Sequence, residues 1–129
     1  MNGFLNVDLE IGARTRAQLA PLIDALDGKL FELFRGRIGS LYRVHYEIRG
    51  PTESASATIH ELAGAIEALP RPARRVWASA SLRDFNVGVE LERGVRSDPD
   101  AVHRIDKLGG RIVFTAYRGE ESAKRKPKR

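Results

Sequence analysis

Two short blocks near the start of this chain return, in the same order, near its end. Asn6-Val7-Asp8-Leu9-Glu10-Ile11 comes back as Asn86-Val87-Gly88-Val89-Glu90-Leu91. Ile23-Asp24-Ala25-Leu26-Asp27-Gly28-Lys29-Leu30 comes back as Ile105-Asp106-Lys107-Leu108-Gly109-Gly110-Arg111-Ile112. Each copy passes from an alternating stretch to a helical segment stopped by glycine, then to a basic residue and an apolar run. Period-two alternation marks a half-buried strand, and an i, i+3, i+4 stripe marks a helix. The echo therefore describes a β-α-β unit used twice. It constrains the fold strongly and is silent on reaction and ligand.

The remaining elements follow from the same periods. Val7, Leu9 and Ile11 alternate with Asn6, Asp8 and Glu10, and Gly12 is expected to end this strand. Thr15 and Gln18 have the spacing of a capping box, and Leu19, Leu22, Ile23 and Leu26 form the stripe that follows, with Pro21 inside it. Residues 29–35 fit either a continuation of that helix or a strand. The later copy, Arg111-Ile112-Val113-Phe114-Thr115-Ala116-Tyr117, is rich in β-formers and favours the strand. Gly36-Arg37-Ile38-Gly39 has the form of the GxxG loop that clamps nucleic acid in KH domains, but four residues with one arginine fit a hairpin turn better. Tyr42, Val44, Tyr46 and Ile48 alternate with Arg43, His45, Glu47 and Arg49.

Thr58 and Glu61 form a second capping-box pattern ahead of a stripe that Pro70 stops. Residues 74–82 read as a strand, with Val76, Ala78, Ala80 and Leu82 on one face and Trp77, Ser79 and Ser81 on the other. Arg83-Asp84 reads as a tight connection to the strand 85–91. Ser97 or Asp98 caps a last helix with Pro99 in its first turn. The expected architecture is a two-layer α/β sandwich. Its mainly antiparallel, ferredoxin-like sheet carries helices on one face only, because the strands keep one polar face.

From Tyr42 onward the pattern resembles a bacterial family, domain of unknown function 4279. The resemblance rests on Ile59-His60-Glu61-Leu62-Ala63-Gly64-Ala65-Ile66, on Phe85-Asn86-Val87-Gly88-Val89-Glu90-Leu91, on Ile105-Asp106-Lys107-Leu108-Gly109 and on a last strand ending at Tyr117. Residues 5–36 fit the family's opening strand and helix more loosely, and Tyr42, Val44 and Tyr46 stand where the family often has tryptophan and serine. These are core and turn residues. The resemblance implies a fold and a bacterial source, and it carries no activity, cofactor or ligand set.

Length and charge bound the function classes. A chain of 129 residues is one domain in size, here 1–120, followed by a basic tail at 121–129. The tail residues Lys124, Arg125, Lys126, Lys128 and Arg129 account for most of the net charge of +5. No apolar run approaches the ~20 residues of a membrane span. Cysteine is absent, which removes thiolate metal sites and disulfides and suits a reducing cytoplasm.

His45, His60 and His103 share no metal-ligand spacing, so neither metal nor cofactor is expected. His60 and His103 are expected in exposed first turns of helices. His45 is the one catalytic candidate: on the polar face of its strand it can meet Asp8, Glu10, Glu90 or Glu92 and form an acid-base pair. The plainer reading of that face is a solvated surface with cross-strand ion pairs.

Three functions remain. The first is a non-enzymatic protein-interaction module, immunity- or antidote-like, whose contact surface is a strand edge or a sheet face holding Asp8, Glu10, Arg43, His45, Glu47, Trp77 and Glu90. Its partner would be another protein or a second copy. The second is a nucleic-acid-associated protein that binds through the basic tail. The third is a small enzyme using His45 and a sheet carboxylate. Mixed charge on a broad face favours the first.

Overall fold

The computed structural model describes residues 4–52, 54–90 and 98–117. The expectations for Leu91, Glu92, Ser97 and the basic tail lie outside these residues, as does the side chain of Leu5. The elements run β1 (Phe4–Ala13), α1 (Arg16–Leu26), β2 (Phe31–Ile38), β3 (Leu41–Glu47), α2 (Ala55–Glu67), α3 (Arg71–Ser79), β4 (Leu82–Glu90), α4 (Pro99–Lys107) and β5 (Arg111–Tyr117). The fold is α+β, a five-stranded mixed sheet with four helices among the described residues. The strand order is β2-β3-β1-β4-β5. All neighbours are antiparallel except β4 and β5.

Alternation in β1 works as the sequence pattern requires. Val7, Leu9 and Ile11 are fully buried. Leu9 pairs with Tyr46 on one side and Phe85 on the other, which gathers three large side chains on the helix-covered face. Val44, Tyr46, Phe85, Val87 and Val89 line the same face, and Leu19, Leu22, Leu62, Ile66, Trp77 and Ile105 descend onto it from the four helices. No helix among the described residues is long and apolar enough to cross a membrane.

The echoed strands lie side by side. β1 and β4 are neighbours, and Val7 pairs with its own counterpart Val87, with Asp8 opposite Asn86 and Asn6 opposite Gly88. The helices of both echoed segments, α1 and α4, stop at a glycine in the left-handed region, Gly28 at φ 83° and Gly109 at φ 73°, where a side chain would be strained. The units then diverge. β5 lies directly beside β4, whereas β3 is inserted between β1 and β2. That insertion leaves β2 on the outer edge.

Several local expectations are corrected. Residues 71–79 are the helix α3, not part of a strand at 74–82. Ala73 and Trp77 are its buried positions, a helical i, i+4 spacing, and the buried Ala80 is its extended C-cap. Pro70 and Pro72 suit a helix start, where missing N–H groups cost nothing. Arg83 and Asp84 belong to β4 rather than to a connection, and Arg83 Nη1 donates to Ala78 O at the end of α3, 2.9 Å. Gly12 lies within β1. The cap of α2 is Ser54, whose Oγ accepts from Ala57 N at 3.0 Å; Thr58 is buried inside the helix and donates to Ser54 O. The Thr15–Gln18 capping box is present, and Pro21 sits inside an unbroken α1.

Candidate interaction surface

Paired residues in a sheet share a face. Glu10 lies opposite His45 on β3 and Asp84 on β4, so these groups stand together on the face away from the helices. Arg43 Nη2 donates to Glu10 Oε1 at 3.0 Å, Asn86 Nδ2 donates to Glu10 Oε2 at 3.1 Å, and Thr115 Oγ1 donates to Asn86 Oδ1 at 2.8 Å. One line of hydrogen bonds thus crosses β3, β1, β4 and β5. Beside it, Arg111 Nε and Nη2 donate to the two oxygens of buried Asp84 at 3.0 and 2.8 Å. Two carboxylates at paired positions repel. Here each has its own guanidinium, and the centre of the face is electrically neutral. Asp8 accepts from Asn6 at 2.9 Å, while Glu47 and Glu90 pair with Phe31 and Tyr117 on the edge strands.

Among the described residues, no carboxylate forms the acid-base pair expected at His45. Such a pair needs a carboxylate oxygen within hydrogen-bond reach, and both oxygens of the facing Glu10 accept from Arg43 and Asn86. His45 Nε2 is buried without a hydrogen-bond partner among the described residues. Burial pushes the imidazole below its usual 6.5; Glu10 opposes this and Arg43 adds to it. The ring of Phe34 lies 5.3 Å from that of His45, tilted by 50°. Phe34 also covers Gly36, where an added Cβ would come within 3.2 Å of its Cζ.

Trp77 does not join this face. It is only 5% exposed, in the core beneath α3. Its Nε1 donates to Leu108 O at 2.8 Å, and its ring meets Phe85 edge-on at 6.4 Å. His60 is likewise not an exposed first-turn residue. It lies mid-helix in the seam between α2 and α4, where Arg104 Nη1 donates to its Nδ1 at 2.9 Å. Arg104 also donates to both oxygens of Glu67 at 2.9 and 2.6 Å, holding that carboxyl below the usual range. Ser56 donates to Asp98, whose other oxygen caps α4.

The apolar surface lies on β2. Phe31, Leu33, Phe34 and Ile38 are 49, 42, 37 and 45% exposed, four of the six exposed large apolar side chains among the described residues. Phe31, Phe34 and Ile38 pair with Glu47, His45 and Leu41, so they extend the open face outward. Glu32, Arg35 and Arg37 pair with Tyr46, Val44 and Tyr42 and point to the helix side. The pairing shifts at Leu33, a bulge that separates the two halves of the strand. Gly36 and Ile38 are strand residues, so the GxxG segment is the β2–β3 hairpin, with Arg37 Nη2 donating to Arg14 O at 3.0 Å.

A second feature lies on the helical side. Arg71, Arg74 and Arg75 are exposed and line a broad cleft with Ala78. Their i, i+3, i+4 spacing puts them on one face of α3. A strand over 74–82 would instead separate neighbouring Arg74 and Arg75 onto opposite faces and leave Arg71 outside it. No group of three His, Asp or Glu side chains converges to hold a metal among the described residues.

The chain matches no family model, no curated protein and no solved structure.

Proposed function

We propose that this chain is a non-enzymatic protein-interaction module whose contact surface is the β2 edge and the adjoining open face. The observation that carries this reading is the cluster of four exposed apolar side chains on an edge strand. An edge strand has one row of unpaired backbone groups, and folds ordinarily guard such rows. Apolar side chains on that edge are ready to be covered, and backbone addition gives the affinity. The neutral, internally bonded centre formed by Glu10, Arg43, Asn86, Asp84 and Arg111 supplies a stiff floor beside it.

Two finer statements belong to this proposal. The strand order β2-β3-β1-β4, without β5, is the antiparallel order of a ferredoxin-like fold, and Val7 against Val87 fits a duplicated unit with local two-fold symmetry. The resemblance to domain of unknown function 4279, an immunity- or antidote-like role and a cytoplasmic location are proposed on the same footing.

The test is cross-linking of tagged chain followed by mass spectrometry. Phe34→Arg should abolish the specific cross-links, while removal of residues 122–129 should leave them intact. Cross-links indifferent to Phe34 would overturn the reading. The arginines of α3 favour a second reading, a phosphate-rich nucleic acid held on the helical side together with the tail. It predicts salt-dependent RNA or DNA binding that Arg71→Glu with Arg75→Glu weakens.

A further inference from the structure

Resting on the interaction-module reading, we infer that the partner of the β2 edge is a second copy of this chain, joined antiparallel through β2 into one sheet running across both molecules. The argument is the order of residues along the strand. β2 reads Phe31-Glu32 at one end and Arg37-Ile38 at the other. Laid against a reversed copy of itself, with Phe31 opposite Ile38, it sets Glu32 opposite Arg37. A two-fold axis makes each pairing occur twice.

The faces agree with this register. Phe31 and Ile38 both stand on the open face, and Glu32 and Arg37 both stand on the helix side. The shift at Leu33 makes that agreement possible across an odd offset, since strict alternation would put these pairs on opposite faces. With Leu33 the extra residue of each bulge, Phe34 meets Gly36 of the other copy on the open face, and on the helix side Arg35 meets its own counterpart, each guanidinium held by Glu32 of its own strand at 3.0 Å. Parallel addition, or a slip by one residue, would set Glu32 and Arg37 against apolar or like-charged neighbours. The charges therefore select one dimer rather than open-ended stacking. The other edge, β5, has no such pattern: Arg111 is the one charged residue of that strand, with no carboxylate at the far end to face it.

Sedimentation of the full chain over a concentration series tests this. Self-association should appear, and Glu32→Arg or Arg37→Glu should each weaken it about tenfold, since two attractive cross-strand pairs become repulsive. An equimolar mixture of the two variants should restore the wild-type dimer, because each variant then supplies the charge the other lacks. That recovery also shows both variants to be folded. A chain that stays monomeric throughout, a dimer indifferent to both substitutions, or a mixture that stays as weak as its components overturns the inference. If the monomer still loses cross-links to a different protein on Phe34→Arg, the homodimer fails while the interaction-module reading stands.

Discussion

β1 and β2 are joined by one helix, run in the same direction and are both rich in large apolar residues, yet they meet opposite fates. β1 lies in the middle of the sheet with a neighbour on each side, and its Val7, Leu9 and Ile11 are sealed from water. β2 lies on the rim, and its Phe31, Leu33, Phe34 and Ile38 remain between 37 and 49% exposed. The difference does not lie in composition. It lies in the face each strand gives its apolar residues: β1 turns Val7, Leu9 and Ile11 toward the helices, whereas β2, on the rim, carries Phe31, Phe34 and Ile38 on the open face and Glu32, Arg35 and Arg37 on the helix side. Apolar residues in the middle of a sheet hold the fold, and the same residues on an uncovered rim are available for a partner.

The largest expected effect separates the two strands by stability. Leu9→Ala should cost about 2–5 kcal/mol, the range for truncating a fully buried leucine, whereas Phe34→Ala should cost under about 1 kcal/mol in the monomer. Urea unfolding at low protein concentration measures both, and equal losses would break the comparison. Next comes the floor of the open face. Glu10 is only 12% exposed at its side chain, and Glu10→Ala strips Arg43 and Asn86 of their acceptors. The expected loss is about 1–3 kcal/mol, measured in the same way.

A smaller effect is tied to pH. His45 titrates below its usual 6.5 in the folded chain because its ring is desolvated. The unfolded chain therefore binds the proton more readily, and stability falls as pH drops from 6.5 toward the lowered folded value. Above 6.5 this contribution is fully present. His45→Gln should flatten the thermal midpoint against pH in that window, and an unchanged slope would remove His45 from the account. Smallest of all is the Glu67–Arg104 pair on the rim of the helical layer, with its side chains 42 and 31% exposed. Glu67→Gln should change stability by less than about 1 kcal/mol, an effect that vanishes in high salt.

The same contrast explains what was legible in the sequence. Strands and helices whose apolar residues are large and regularly spaced, such as Val7-Leu9-Ile11 or Leu19-Leu22-Ile23-Leu26, declare themselves. α3 does not, because it has only two core positions, one of them the small Ala73, and its arginines break any apolar period. That error misplaced Trp77, which was expected on the contact face and is a core residue. The polar floor was half legible. Asp8, Glu10, Arg43 and His45 follow from alternation, but their bonding to Asn86, Thr115 and Arg111 depends on which strands become neighbours. The β2 surface was not legible at all. Leu30-Phe31-Glu32-Leu33-Phe34 lacks a clean period, and only the register with β3, shifted at Leu33, sets its apolar residues on the open face of an edge strand.

Amide hydrogen exchange followed over a range of protein concentration tests the central claim most directly, because pairing of an edge strand buries its free row of N–H groups. The account predicts that amides within 31–38 exchange more slowly as concentration rises while those within 111–117 keep their rates. Exchange in β2 that is the same at every concentration, or slowing confined to β5, would contradict it.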